Sequence, residues 1–191
     1  MKRRDGARGA EKPITLELAD EAATARLAMK LAAAARPNDV LALIGDLGAG
    51  KTVFARAFIN ARAATAQEVP SPTFTLVQTY AFPDPGDPNG GIPVYHFDLL
   101  RIEDASEIEE LGMKEAFAGG ISLIEWPDRM NGLLPVDRLD VTLTQGKGAG
   151  QRRCVLTGHG SWAARLSALD KTLGHEAGGS EAQGRKERGD G

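Results

Sequence analysis

The chain has 191 residues, with 26 acidic and 23 basic side chains and a formal net charge of −3. This balance argues against a dedicated nucleic-acid binder, which usually carries a strong basic excess. The single cysteine, Cys154, excludes an internal disulfide framework and a multi-cysteine zinc site. No run reaches the ~18 apolar residues that span a bilayer. The basic first residues lack the apolar segment of a secretory signal, so we expect a soluble cytoplasmic protein.

The two ends of the chain differ in composition from the middle. Residues 1–12 and 171–191 are rich in glycine and charge and poor in large apolar side chains. They predict disordered tails on either side of one folded domain, residues 13–170. This domain carries a net charge of −6 and residues 1–12 carry +3, so the near-neutral total conceals an acidic domain behind a basic tail.

Strand-like and helix-like patterns alternate along the domain. Apolar or alternating runs predict strands at 14–18, 40–44, 75–80, 94–97, 121–125, 139–144 and 153–157. Helical patterns lie at 22–35, 51–63, 104–112 and 162–169. Asp20 is a candidate N-cap, and Asp104 with Glu107 forms a candidate capping box. The last two strands read as a hairpin, and residues 82–93 as a long loop with four prolines and three glycines. The order predicts an α/β fold, in which helices flank a mostly parallel central sheet with antiparallel additions.

A phosphate-binding pattern follows the second strand. Residues 45–52, GDLGAGKT, fit G-x-x-x-x-G-K-[ST]. Glycines allow backbone N–H groups to turn towards phosphates, because no Cβ blocks the approach. Lys51 is placed to reach the β- and γ-phosphates and Thr52 to offer its hydroxyl to Mg²⁺. The next helix directs the positive end of its dipole at the anion, which predicts the fold of a P-loop nucleoside triphosphatase.

Two acidic residues end predicted strands downstream of the loop. Asp98 follows the strand 94–97, and Glu125 ends the strand 121–125. A phosphate loop with Mg²⁺ needs such an acid to hold the metal or its waters. We assign Glu125 to Mg²⁺, because its apolar strand suits the position beside the loop, and Asp98 to the attacking water. The two roles are exchangeable at this point.

The segment 71–75, SPTFT, lies between the helix after the loop and the next strand. Nucleoside triphosphatases often place here a threonine that senses the γ-phosphate and Mg²⁺, and Thr73 is the candidate. A proline-containing entry to a strand is the alternative. His96 and Cys154 read as structural residues.

The choice of base rests on an absence. The chain has no Asn-Lys-x-Asp segment of the kind that guanine-specific switches use. We therefore expect adenine, and hence ATP with Mg²⁺ as the ligands.

Five segments together resemble one protein family. They occur in the order GDLGAGKT, SPTFTLVQTY, YHFDLLR, EIEELGMKEAF and LIEWPDR. The set is similar to the bacterial TsaE (YjeE) family of tRNA threonylcarbamoyladenosine biosynthesis, and the match spans roughly residues 14–157. The resemblance implies a compact P-loop fold and slow ATP hydrolysis. It also implies two partner proteins, TsaB and TsaD, which modify tRNAs that read codons beginning with A.

The resemblance also implies residue roles. Asp98 and Glu125 would be the two essential acids, acting with Lys51, and Thr52 would join Glu125 at Mg²⁺. The implied nucleotide-binding residues are Asp46, Leu47, Gly48, Ala49, Gly50, Lys51, Thr52, Thr73 and Trp126. Two departures are visible: Leu100 stands where the family usually has tyrosine, and the loop 82–93 is longer than usual.

Two other functions fit the phosphate loop. A P-loop small-molecule kinase would need an arginine-rich lid, and the loop 82–93 contains neither arginine nor lysine. A non-catalytic, nucleotide-gated adapter would bind ATP without needing hydrolysis. The acidic domain suits a protein that leaves tRNA contact to its partners and meets tRNA only indirectly.

Overall fold

The computed structural model describes residues 12–82 and 91–173. Within these ranges, seven strands form one sheet, and five α-helices lie on its two faces. The strands are β1 (Ile14–Leu18), β2 (Val40–Ile44), β3 (Val77–Tyr80), β4 (Val94–Asp98), β5 (Ile121–Glu125), β6 (Arg138–Gln145) and β7 (Arg152–His159). The helices are α1 (Glu21–Ala34), α2 (Lys51–Arg62), α3 (Ala105–Glu109), α4 (Met113–Gly119) and α5 (Ser161–Leu173), with a 3₁₀ turn at Pro127–Met130.

The sheet is parallel in its centre and antiparallel at its edges. Its order is β1-β7-β6-β2-β5-β4-β3. The four central strands, β6, β2, β5 and β4, run parallel, whereas β1, β7 and β3 pair antiparallel with their neighbours. The prediction of a mostly parallel sheet therefore holds for the central four strands. The α/β class and the antiparallel additions are confirmed.

Helices cover both faces of the sheet because β2 and β5 are apolar on both sides. On one face, Phe54 and Phe58 of α2 pack in a cluster with Leu41, Leu43 and Leu123. On the other face, β2, β4 and β5 contribute to a second cluster with α3, α4 and the 3₁₀ turn; its strand residues are Val40, Phe97 and Ile124. Continuous burial of this kind explains why the bounds of β2 and β5 follow directly from their sequences.

Alternation along β4 and β5 sends their polar residues to the α2 face. His96 and Asp98 share a face of β4 with Val94, and Glu125 shares a face of β5 with Leu123. This parity sets three ionisable side chains on one face, with Asp98 and Glu125 at the carboxyl-terminal edge of the sheet, near the start of α2, and His96 two residues before Asp98.

The capping signals and the hairpin are confirmed. Asp20 accepts a hydrogen bond from the backbone N–H of Ala23, and Asp104 forms the capping box with Glu107. Strands β6 and β7 pair as an antiparallel hairpin. Cys154 is fully buried in β7, and burial raises the pKa of its thiol to about 12, in agreement with a core residue.

Three predicted boundaries were wrong. The strand predicted from Thr75 begins at Val77, because the N–H of Leu76 closes a turn on the carbonyl of Pro72 and Leu76 has a left-handed φ of 64°. The helix predicted over 104–112 ends at Glu109, and α4, which begins after the left-handed Gly112 (φ 68°), was not predicted. Helix α5 continues to Leu173, which is buried, into the segment expected to be a tail.

Residues 1–11 and 174–191 of the predicted tails, and 83–90 of the predicted loop, lie outside the described residues.

Candidate active site

The glycine-rich loop joins the end of β2 to the start of α2. Three of its glycines have positive φ, namely Gly45 (148°), Gly48 (78°) and Gly50 (104°), a region that other L-residues rarely adopt. Gly45 also permits a close approach to β6, because a Cβ there would lie 2.3 Å from the carbonyl oxygen of Leu143. Glycine is therefore required at this position for both backbone conformation and space.

Lys51 is the first residue of α2 and is only 4% exposed. Its ammonium donates to the carbonyls of Gly45 (2.6 Å) and Asp46 (2.9 Å) and lies 3.9 Å from the centre of the Trp126 ring. Burial lowers the pKa of Lys51 below 10.5, and the negative charges of nearby carboxylates, Glu125 foremost, oppose this shift. No carboxylate within the described ranges forms a contact ion pair with it, so its charge is available to an anion in the cleft.

Thr52 and Glu125 meet at the beginning of α2. The Thr52 hydroxyl lies 3.0 Å from Oε1 and 3.1 Å from Oε2 of Glu125. Glu125 ends β5 and is 2% exposed. The parallel pairing of β2 with β5 places this carboxylate beside the loop, since Glu125 is in register with Leu43.

Asp98 joins the segment 71–75 to the end of β4. Its Oδ2 accepts hydrogen bonds from the hydroxyls of Ser71 (2.8 Å) and Thr73 (2.6 Å). Its Oδ1 accepts the backbone N–H of Leu100 at 3.1 Å. Thr73 thus contacts an acid rather than standing alone at a strand entry, and Asp98 fixes its segment against the sheet.

Two residues at the site were not among the predicted site residues: His96, which was interpreted as structural, and Arg152. His96 Nε2 lies 2.9 Å from Glu125 Oε1, and its side chain is fully buried. Arg152, at the start of β7, donates to the carbonyls of Ala49 (3.0 Å) and Gly48 (3.1 Å). The alternation of β4 with Asp98 could have flagged His96. Nothing local could have flagged Arg152, because more than one hundred residues separate it from the loop.

These groups line a cleft of about 480 Å³. Its walls include Gly48, Gly50, Lys51, Thr52, Ser71, Thr73, Asp98, Leu100, Glu125, Trp126 and Arg152. Leu47 also lines it but is 80% exposed, whereas Ala49 is buried behind the loop. Asp46 is exposed and contributes its carbonyl to Lys51. The structure therefore brings together most of the predicted site residues, with Asp46 and Ala49 at its margin.

The remaining arginines near the site have other contacts. Arg101 lies over the Phe74 ring at 5.1 Å, and Arg129 donates to the carbonyl of Ile102. In residues 12–82 and 91–173 no cluster of three or more histidine, cysteine or acidic side chains has the arrangement of a protein-only metal site. No helix in these ranges is long and apolar enough to cross a membrane.

Comparison with known proteins identifies relatives. The family model described as threonylcarbamoyl adenosine biosynthesis protein TsaE matches residues 18–154. A TsaE protein from Rickettsia conorii is 37% identical over 154 residues, which cover 80% of this chain and 83% of that protein. The TsaE protein of Bacillus subtilis is 40% identical over 139 residues, covering 72% and 81%. The crystal structure of Bacillus subtilis YdiB has a TM-score of 0.66 and 30% identity, and covers 86% of this chain and 96% of its own. This chain therefore belongs to the TsaE family, which takes part in tRNA threonylcarbamoyladenosine biosynthesis.

Proposed function

We propose that this chain is a P-loop ATPase that binds ATP with Mg²⁺ in the cleft and hydrolyses it slowly. One observation carries the proposal. The Lys51 ammonium, the paired Thr52 hydroxyl and Glu125 carboxylate, and the Asp98 carboxylate converge on one cleft beside a glycine-rich loop. These are the groups that phosphoryl transfer from a nucleotide requires: a cation and amides for the phosphates, oxygens for the metal, and an acid for water.

The donor set fits Mg²⁺. Thr52 and Glu125 offer hydroxyl and carboxylate oxygens, and the cleft leaves room for phosphate oxygens and water to complete the shell. Two protein oxygens suit this ion, which usually binds through one or two protein groups together with substrate phosphates. Mg²⁺ bound there would neutralise charge on the phosphates. Thr52 and Glu125 would hold it, in accordance with the assignment made from the sequence.

The loop and Lys51 would bind the phosphates. The loop carbonyls of Gly48 and Ala49 are directed to Arg152. The Ala49 N–H donates to the Asp46 carbonyl, and the other N–H groups of the loop would point at an anion at the start of α2. The Lys51 ammonium would leave the carbonyls of Gly45 and Asp46 for phosphate oxygens, which form stronger, charge-assisted hydrogen bonds.

Asp98 would position the attacking water and link it to the segment 71–75. The hydroxyls of Ser71 and Thr73 now occupy its Oδ2. When these hydroxyls turn to the γ-phosphate, Oδ2 would be free to accept a hydrogen bond from water. Loss of the γ-phosphate would return the segment to Asp98, so that the surface around Phe74, which is 85% exposed, would change with the nucleotide.

We infer that this cycle serves a complex with TsaB-like and TsaD-like proteins. Two observations support the inference: membership in the TsaE family, and the arginine geometry of the cleft. Within the described ranges, Arg152 is the arginine that lines the cleft, and the loop carbonyls engage it. It is therefore not available to stabilise the transferring phosphoryl group. Turnover by the chain alone would be slow, and partners would accelerate it.

The decisive test combines hydrolysis with tRNA analysis. We expect Mg²⁺-dependent phosphate release that is slow for the isolated chain and faster with both partners, and loss of threonylcarbamoyladenosine from tRNA after depletion of the protein. Lys51→Ala should release no phosphate and should not restore threonylcarbamoyladenosine to the depleted cells. The control Lys114→Ala, at an exposed surface residue, should do both. Transfer of labelled γ-phosphate to a metabolite would indicate a kinase instead. Full tRNA modification by variants of Asp98 and Glu125 that bind ATP without hydrolysis would indicate an adapter.

A further inference from the structure

His96 is a buried titratable residue that the proposed chemistry does not use. It occupies the middle of β4, with its side chain fully buried on the face shared with Asp98. Its Nε2 lies 2.9 Å from Oε1 of Glu125, itself almost completely buried. A histidine of the sheet interior is thus in direct contact with the carboxylate that we assign to the metal.

We propose that His96 is a positioning residue that donates its Nε2–H to Oε1 and aims the Glu125 carboxylate at Thr52. The inference rests on the proposed function, because the orientation matters only if Glu125 and Thr52 hold Mg²⁺. Outer partners of this kind fix the direction of a metal-binding group, and their loss usually costs 10- to 100-fold in metal affinity.

The ring nitrogens determine which tautomer fits. His96 Nδ1 is buried and has no hydrogen-bond partner among the described residues. A proton on Nδ1 would leave that buried N–H unpaired and would set the Nε2 lone pair against a carboxylate oxygen, which can only accept. The single proton of a neutral ring therefore belongs on Nε2, where the carboxylate accepts it.

The hydrogen bonds of Glu125 show why a second donor is needed. The Thr52 hydroxyl lies almost equally far from both carboxylate oxygens, at 3.0 and 3.1 Å, and its one proton can satisfy only one of them at a time. His96 contacts Oε1 alone. With Oε1 held by His96, the carboxylate of Glu125 would keep one orientation relative to Thr52 at the wall of the cleft. Without His96, rotation about the last side-chain bond would lose this restraint.

The experiment measures Mg²⁺ dependence of nucleotide binding rather than turnover. MgCl₂ is titrated at a fixed concentration of a slowly hydrolysed ATP analogue. His96→Leu is expected to need about 10- to 100-fold more MgCl₂ for the same increase in nucleotide affinity. Affinity without Mg²⁺ should be unchanged, because the Lys51 and loop contacts are intact. His96→Gln should recover most of the effect, since its amide nitrogen reaches about as far from the backbone as Nε2.

Two controls separate positioning from packing. Val94→Ala removes buried volume from the same face of β4 without touching Glu125, and should retain the wild-type MgCl₂ requirement. Long-range ¹H–¹⁵N spectra of the imidazole, recorded on the intact chain without nucleotide, should show the Nε2–H tautomer and a shift of this signal in Glu125→Gln.

The outcomes distinguish the two proposals. A wild-type MgCl₂ requirement in folded His96→Leu, equal loss in His96→Gln and His96→Leu, or an Nδ1–H tautomer would each overturn the role of His96 while the proposed ATPase stands. If the nucleotide affinity of the wild type did not depend on Mg²⁺, the proposed function would be overturned, and the positioning role of His96 with it.

Discussion

Asp98 and Glu125 are direct cross-strand neighbours, because the parallel register of β4 and β5 pairs the last residue of one strand with the last residue of the other. Both carboxylates are buried, yet their partners differ. Asp98 accepts hydrogen bonds from Ser71 and Thr73, whereas Glu125 contacts Thr52 and His96. Two acids at one level of the sheet thus contact different segments of the cleft lining.

This division predicts different phenotypes for two matched substitutions. Glu125→Gln should abolish the strengthening of nucleotide binding by Mg²⁺, because an amide is a much weaker ligand for the ion. Asp98→Asn should retain that strengthening and lose about 100-fold or more in hydrolysis, because the attacking water loses the group that positions it. Titrations with and without Mg²⁺, combined with single-turnover hydrolysis, measure both effects. The reverse pattern would exchange the two roles.

Trp126 should report nucleotide binding by fluorescence. Its ring lines the cleft and lies over the Lys51 ammonium at 3.9 Å. The other tryptophan of the chain, Trp162, is fully buried beneath Arg165 and away from the cleft. ATP addition should change the tryptophan emission of the wild type and of Trp162→Phe. The emission of Trp126→Phe should not change. A signal that persists in Trp126→Phe would contradict the placement of the nucleotide beside this ring.

Arg152 should influence affinity through the shape of the loop. Its two contacts to the carbonyls of Gly48 and Ala49 are hydrogen bonds from a charged donor, each worth about 1.5–3 kcal/mol. These contacts stabilise the loop of the folded chain, so Arg152→Ala should loosen the loop and weaken nucleotide binding by about tenfold, roughly 1.4 kcal/mol. The neighbouring Arg153→Ala is the matched control, since Arg153 is exposed and lies 3.9 Å from Glu17. Calorimetric titration measures the nucleotide affinity of both variants. Equal affinities would show that Arg152 does not influence nucleotide binding.

The lowered pKa of Lys51 predicts a pH dependence of stability. Its folded-state pKa lies below the ordinary value of 10.5, because burial penalises the charged form. Between the two values the unfolded chain binds more protons, so the free energy of unfolding rises with pH in that window. Without nucleotide, the wild type should therefore gain stability relative to Lys51→Met as pH rises towards 10.5. Denaturant unfolding of both proteins at pH 7 and pH 10 measures the difference, and a constant difference would contradict burial of the charge.

Local sequence predicted the parts of the molecule that depend on local causes. Strands β2 and β5 appear with the bounds expected from their continuous apolar runs. The capping box at Asp104 forms as its spacing indicated. The predicted start of β3 was wrong, because a backbone turn at Leu76 delays the strand although the side chains already alternate from Thr75.

The contacts around the cleft required the tertiary structure. Arg152 lies at the start of β7, the second strand of the β6–β7 hairpin, and only the strand order β7-β6-β2 brings it near the loop after β2. His96 reaches Glu125 because the register of β4 and β5 sets the two residues on one face. The contact of Arg152 has no signature in the residues beside it along the chain, whereas the alternation of β4 indicates the face of His96 but not its partner.

The central position of β2 has a consequence for synthesis on the ribosome. Its two neighbours, β5 and β6, begin at Ile121 and Arg138, far downstream of Ile44. At the usual elongation rate, this apolar strand waits on the order of 4–16 seconds before either neighbour exists. During that interval its unpaired backbone is exposed to other nascent chains. The strand that precedes the glycine-rich loop therefore needs protection until β5 and β6 have been synthesised.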